Sequence, residues 1–132
     1  MTIRVAINGF GRMGRLALRA AWEWPSFDQA NGGEFEFVHI NEVAGSCESA
    51  AHLLKYDSVH GTWEHDISTQ ESSLTIDGKT LSFSSNTSIE DTPWKAMGID
   101  ILIDCTGKFK AKEKLKTYLD QGIKKVVVSS PV

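Results

Sequence analysis

The chain has 132 residues, enough for one domain with a continuous core and too few for two ordinary ones. Its 14 Lys and Arg against 17 Asp and Glu leave a net charge of -3, which gives no global attraction for nucleic acid or an acidic membrane surface. No apolar stretch approaches the ~20 residues that cross a bilayer, and the only two cysteines, Cys47 and Cys105, follow an N-terminus without a hydrophobic targeting core, so a reduced, cytoplasmic setting is expected.

Residues Ile3 to Ile7 read as a buried strand. Directly after it comes Asn8-Gly9-Phe10-Gly11-Arg12-Met13-Gly14-Arg15, a Gly-x-Gly-x-x-Gly turn, and from Arg12 to about Trp24 the apolar residues Met13, Leu16, Ala17, Ala20 and Trp24 recur at helical spacing. Strand, glycine turn and helix in that order describe a loop able to hold a dinucleotide's pyrophosphate. Gly9 is expected to make the tight turn, Gly11 to admit the phosphates without a Cβ in the way, and Gly14 to let the helix pack closely on the strand. The backbone N–H groups of Arg12 and Met13 are the expected phosphate donors, at the positive end of the helix dipole.

Pro25 is expected to end that helix, and Ser26 to Glu34 is a polar loop. Phe35 to Ile40 then reads as a second strand, completing a βαβ unit. Glu42 stands at its end, where a carboxylate accepts hydrogen bonds from both adenosine ribose hydroxyls and repels a 2′-phosphate, which argues for NAD over NADP. Its distance from the glycines exceeds the ~20 residues usual for this fingerprint, and the loop Ser26 to Glu34 accounts for the excess. The plainer alternative is a solvated charge at a strand end.

Ala50 to Lys55 reads as a short helix and Tyr56 to Trp63 as a loop. Leu74-Thr75-Ile76 and Thr80-Leu81-Ser82-Phe83 flank Asp77-Gly78, the signature of a tight antiparallel hairpin. Ile99 to Asp104 gives a strand, Ala111, Leu115, Tyr118 and Leu119 a helical stripe, Gly122 a helix stop, and Lys125 to Ser129 a further strand. The fold class is therefore α/β: a Rossmann-type, doubly wound, mostly parallel sheet with an antiparallel hairpin insertion. Cys105 ends an apolar strand and reads as a small buried hydrophobe. Cys47 lies in a polar stretch compatible with exposure, and nothing near it suggests a lowered pKa. His39, His52, His60 and His65 have no zinc-site spacing, so no metal is expected.

Taken together, Asn8 to Arg15, Ile40-Asn41-Glu42, Leu53-Leu-Lys-Tyr-Asp-Ser-Val-His-Gly61, Cys105-Thr-Gly-Lys-Phe109 and Lys124-Lys-Val-Val-Val-Ser-Ser-Pro131 resemble the N-terminal half of the phosphorylating glyceraldehyde-3-phosphate dehydrogenase family. The resemblance spans the whole chain, with the five motifs in order and at similar spacing. Asn41-Glu42 replaces the glycolytic members' usual Asn-Asp. That pair, with Pro93-Trp94 and Asp104 to Gly107, is similar to erythrose-4-phosphate dehydrogenase and to an arsenate-resistance-associated variant, and Asp91 to Trp94 with Gly107-Lys108-Phe109 inclines toward the latter.

The resemblance implies NAD as cofactor, with Asn8 leading into the glycine loop, Thr106 and Gly107 closing over the adenosine side, and Ser129 beside the nicotinamide ribose. Thr87 aligns where many relatives carry an adenine-flanking arginine. It further implies thiolate attack on an aldehyde, a histidine base, hydride transfer, and attack of phosphate or arsenate on the thioester. That thiol and histidine belong beyond Pro131, so residues 1–132 are expected to be the NAD-binding domain, inactive alone. A sugar-phosphate aldehyde is expected to bind only with the catalytic domain, and the full-length form is expected to be a homo-oligomer. Apolar surface is expected where the family's C-terminal helix packs. Two other readings stand beside it: a standalone nucleotide-binding or scaffold module, and another glycine-motif enzyme such as an NADP-linked reductase.

Overall fold

The computed structural model describes residues 2–27, 32–43, 45–57, 61–86, 92–106 and 112–128. Gly107 and Ser129, and with them Thr87, lie outside this set. In chain order the elements are β1 (Ile3–Asn8), α1 (Arg12–Trp22), a short 3-10 turn (Pro25–Phe27), β2 (Phe35–Asn41), α2 (Cys47–Lys55), β3 (Tyr56–Asp57) and β4 (Gly61–Thr62). These are followed by β5 (Ile67–Gln70), β6 (Ser73–Ile76), β7 (Lys79–Ser84), β8 (Ile101–Asp104), α3 (Lys112–Asp120) and β9 (Lys125–Val128).

Seven strands form one sheet in the order β5-β6-β7-β2-β1-β8-β9. From β7 to β9 the neighbours run parallel, and β5 and β6 add the antiparallel flank. The chain winds outward from β1 through β2 to β7, then returns to lay β8 and β9 on the other side of β1. That reversal places a topological switch point, and hence a crevice, at the C-terminal ends of β1 and β8.

Alternation along β1 builds two cores. Val5 and Ile7 face the layer with Phe10, Leu18 of α1, and Ala50, Ala51 and Leu54 of α2. Ala6 faces the opposite layer, formed by Trp94, Ile99, Leu102, Tyr118 of α3, and Ile123. On β2 a regular strand could not put Phe37 and Ile40 on one face, because three residues is an odd offset. A bulge against β1, pairing Val5 with Phe37 but Ala6 with His39, restores the phase so that both join the α1 layer.

The sequence-based outline is modified at five places. Of the stripe expected on α1, Met13 and Trp24 are 59% and 62% exposed and Ala20 is exposed, whereas Gly14 and Leu18 are the buried positions. The helix stops at Trp22, and Pro25 begins a separate 3-10 turn whose Phe27 stacks on Phe37 with ring centroids 4.7 Å apart. Strand β5 carries one apolar residue in Ile67-Ser-Thr-Gln, so no alternation announced it, and Tyr56 to Thr62 contains the small ribbon β3-β4. Cys47 is buried at the start of α2, its Sγ 3.1 Å from the Ser73 carbonyl; burial and then Glu48 push its thiol pKa up. No helix among the described residues is long and apolar enough to cross a membrane.

Candidate functional site

The glycine turn sits where β1, β2 and β8 end. Gly9 N–H donates to the Asn41 carbonyl at 2.8 Å, and Cys105 N–H donates to the Asn8 carbonyl, also at 2.8 Å. These bonds carry the ladder just beyond the strands and hold the turn from both sides. Gly9 adopts φ +94°, and a Cβ there would lie 2.6 Å from the Thr106 nitrogen. A side chain is therefore excluded twice, by conformation and by contact. A Cβ on Gly14 would overlap the Gly9 carbonyl oxygen, so the helix packs on the turn itself, and on Ile7 beneath it.

Gly11 differs from both. Nothing lies within 4 Å of a Cβ built there, so its bareness leaves open space at the start of α1. Gly11 offers no side-chain cap, the first turn carries no acidic residue, and helical bonding begins with Arg15 N–H to the Gly11 carbonyl at 3.0 Å. The positive end of α1 thus meets the crevice without a carboxylate of its own first turn to neutralise it.

Glu42 is brought to the same place. Its N–H donates to the Ser84 carbonyl at 2.9 Å, and its Oε1 accepts the Phe10 N–H at 2.5 Å. Thirty-two positions apart in sequence, the two residues become neighbours because β1 and β2 are parallel partners ending together. The Phe10 side chain, 2% exposed, belongs to the core, so only its backbone faces the turn; Arg15 Nη1 donates to its carbonyl at 3.1 Å. Arg12 and Met13 project outward at the mouth.

Below the turn runs a polar network absent from the sequence reading. Asp104, 1% exposed, accepts at Oδ1 from the Thr106 N–H (3.0 Å) and hydroxyl (2.8 Å), and at Oδ2 from the Tyr118 hydroxyl (2.6 Å). Tyr118 in turn accepts from Asn8 Nδ2 at 2.6 Å, and Asn8 Oδ1 accepts from Asn41 Nδ2 at 2.8 Å. Asn41 Oδ1 accepts from the Ser84 hydroxyl (2.6 Å) and the Asn86 N–H (2.9 Å). Because Ser84 gives its one proton to Asn41, His39 Nε2, 2.7 Å away, must donate to Ser84; Nδ1 faces Ser82 Oγ at 2.6 Å. Burial lowers the His39 pKa to about 4, and burial followed by Asp104 raises that of Tyr118. Asn8 accordingly lies beneath the turn, 3% exposed, and holds it from below. The signal for this network was a carboxylate closing an apolar strand, since a buried charge requires partners.

Asn8, Gly9, Phe10, Gly11, Arg12, Met13, Gly14, Glu42 and Thr106 are thus gathered around one crevice. Cys105, partly exposed, follows β8 behind the turn, and no group of three or more His, Cys, Asp or Glu among the described residues could hold a metal ion. A family model described as glyceraldehyde 3-phosphate dehydrogenase, NAD binding domain, matches residues 3–112. The chain belongs to this family. A relative named glyceraldehyde-3-phosphate dehydrogenase 3, from Nostoc sp., is 50% identical over 132 residues, covering 100% of this chain and 37% of the relative. Glyceraldehyde-3-phosphate dehydrogenase from Lactobacillus delbrueckii subsp. bulgaricus is 40% identical, over 99% of this chain and 38% of its own length. The chain therefore spans a little over a third of these curated relatives. As a member of the glyceraldehyde 3-phosphate dehydrogenase NAD-binding domains, its cofactor is NAD.

Proposed function

We propose that residues 1–132 form the NAD-binding domain of a phosphorylating aldehyde dehydrogenase acting on a sugar phosphate in the cytoplasm. The observation that carries the reading is the pinning of the Glu42 carboxylate onto the Phe10 N–H, at the edge of a glycine turn with open space at Gly11. The residues fit the cofactor's two polar demands: a cradle that a Cβ on Gly11 would fill for the pyrophosphate, and a carboxylate for the adenosine ribose. Backbone N–H groups of Arg12 and Met13 hold the phosphates, Gly9 and Gly14 keep the loop tight, and Glu42 accepts from the ribose hydroxyls while repelling a 2′-phosphate. The resemblance assigns Thr106 and Gly107 to the adenosine side and Ser129 to the nicotinamide ribose.

When bound, the cofactor supplies the acceptor for a hydride leaving the aldehyde carbon. The chain's part is to bind and orient it. Cys47 is buried with a raised pKa, and Cys105 follows β8 with its N–H bonded to the Asn8 carbonyl, so neither is proposed as the attacking thiol. The nucleophile and histidine base come from outside these 132 residues, which bind cofactor without turning over substrate, and the complete protein is a homo-oligomer. Glyceraldehyde 3-phosphate is the substrate named by the relatives. Resemblance at Asp91 to Trp94 and Gly107-Lys108-Phe109 favours arsenate as acyl acceptor; erythrose 4-phosphate as substrate is the second reading, since Asn41-Glu42, Pro93-Trp94 and Asp104 to Gly107 are similar to both groups.

Calorimetric titration of the chain with NAD and with ADP-ribose tests the binding claim: saturable one-to-one heat is expected for both, and none from folded protein overturns it. Assay of the complete gene product with glyceraldehyde 3-phosphate or erythrose 4-phosphate, in phosphate or arsenate, tests the substrate claim. Failure to reduce NAD with either aldehyde overturns that claim alone.

A further inference from the structure

Tyr118 lies on α3, on the face of the sheet opposite α1, yet its hydroxyl reaches both turns that flank the crevice. It donates to Asp104, which holds the Thr106 turn through the Thr106 N–H and hydroxyl, and it accepts from Asn8, the residue that enters the Gly9 turn. We infer that Tyr118 is a positioning residue for cofactor binding, locking the Gly9 turn and the Thr106 turn at a fixed separation from beneath the sheet without touching the ligand. The inference rests on the NAD-binding reading and adds to it a residue that no motif supplies.

Three features make the hydroxyl a rigid strut. Ile123 N–H donates to the Tyr118 carbonyl at 3.3 Å and Gly122 N–H to the Leu119 carbonyl at 3.0 Å, the paired bonds of a Schellman cap, with Gly122 at φ +90°. The Tyr118 ring is fully buried and meets Trp94 edge-on, centroids 6.0 Å apart and planes at 67°. Separation of the turns is also tightly specified, since a Cβ on Gly9 would already stand 2.6 Å from Thr106 N and 2.7 Å from the Cys105 carbonyl carbon. Two turns in such close register need a brace that sets distance, and a hydroxyl that both donates and accepts provides it. Removing it leaves Asn8 Nδ2 without its acceptor and Asp104 Oδ2 without this donor, both buried, and the turns relax to find other partners.

Titration of NAD into wild type, Tyr118→Phe and Ile99→Val tests this. Ile99→Val trims the same core but leaves every hydrogen bond of the network in place. Tyr118→Phe is expected to raise the Kd for NAD about tenfold, about 1.4 kcal/mol, while Ile99→Val stays within about twofold of wild type at a comparable loss of thermal stability. Should Tyr118→Phe fail to fold, Asp104→Asn breaks the same brace from the other side and is expected to weaken NAD binding in the same way. Equal affinity in Tyr118→Phe and wild type overturns the inference, as does equal weakening in Ile99→Val, which would make the effect one of stability. Absence of NAD binding by folded wild type overturns the functional reading and this inference together, so the two failures are distinguishable.

Discussion

Among the three glycines of the turn, identical side chains serve unlike purposes, and alanine separates them. At Gly9 the φ of +94° and the Thr106 backbone both oppose a methyl group, and at Gly14 the Gly9 carbonyl does. Either Gly→Ala change is expected to lower stability by about 2 kcal/mol or more, read as a fall in urea midpoint. Gly11→Ala meets open space at φ -75°, so stability should hold within about 1 kcal/mol while NAD affinity drops at least about tenfold, because the methyl fills the proposed phosphate cradle. The motif alone assigned the tight turn to Gly9 and the close packing to Gly14, as found, with Gly9's contact on Thr106 the one part that needed β8 in view. His39 was not legible as a special group, because its two serine partners lie on β7, more than forty positions on. Its folded pKa of about 4 lies below the unfolded value of 6.5. The stability it contributes is therefore complete above pH 6.5 and lost as pH falls through 4, by about 2 kcal/mol at pH 5. Urea midpoints between pH 4.5 and 7.5 should flatten in His39→Gln, and an unchanged slope would contradict this.

Elements carry their own devices. The β6–β7 hairpin turns on Asp77 and Gly78, with φ of +50° and +85°, as the Asp-Gly pair in the sequence announced. Its tip is tied elsewhere by a contact no local pattern showed: His65 bonds Asp77 through Nδ1 and Glu23, at the end of α1, through Nε2. Partial burial lowers the His65 pKa, but the hydrogen bonds and charges of Asp77 and Glu23 outweigh it and raise the pKa overall. The sign is opposite to that of His39: this stabilisation is present below pH 6.5 and lost as pH rises through the raised folded value. His65→Gln should accordingly lose stability most at acid pH and converge toward wild type in alkali, as followed by urea denaturation. Helix α1 illustrates why periodicity misplaced its buried face. Gly14 draws the helix so close to the turn that the contact stripe rotates to Gly14, Leu18 and the Ala21-Trp22 end, leaving Met13 at the crevice mouth.

Across the whole molecule, the mostly parallel sheet with its antiparallel hairpin was legible from the alternation of strand and helix and from Asp77-Gly78, whereas the order β2-β1-β8 and the crevice at their ends emerged only from the folded sheet. What pattern could not supply was the third dimension beneath the crevice, where Asp104, Tyr118, Asn8, Asn41, Ser84 and His39 join four strands and α3. Each of these residues reads alone as an ordinary strand-end polar or a core aromatic, and only the sheet order brings them together. Glu42 is the converse case, legible from strand position and resemblance, with its bond to Phe10 explaining how a carboxylate so far along the chain reaches the glycine turn. The central claim is that this turn and Glu42 together form an NAD site, and parallel calorimetric titrations of NAD and NADP into wild type and Glu42→Ala test it most directly. Wild type should bind NAD roughly a hundredfold more tightly than NADP, since a 2′-phosphate facing Glu42 places like charges together. Glu42→Ala should bind NAD about tenfold more weakly and lose most of that preference. Equal affinity of folded wild type for the two cofactors, or a preference undiminished in Glu42→Ala, would contradict the account.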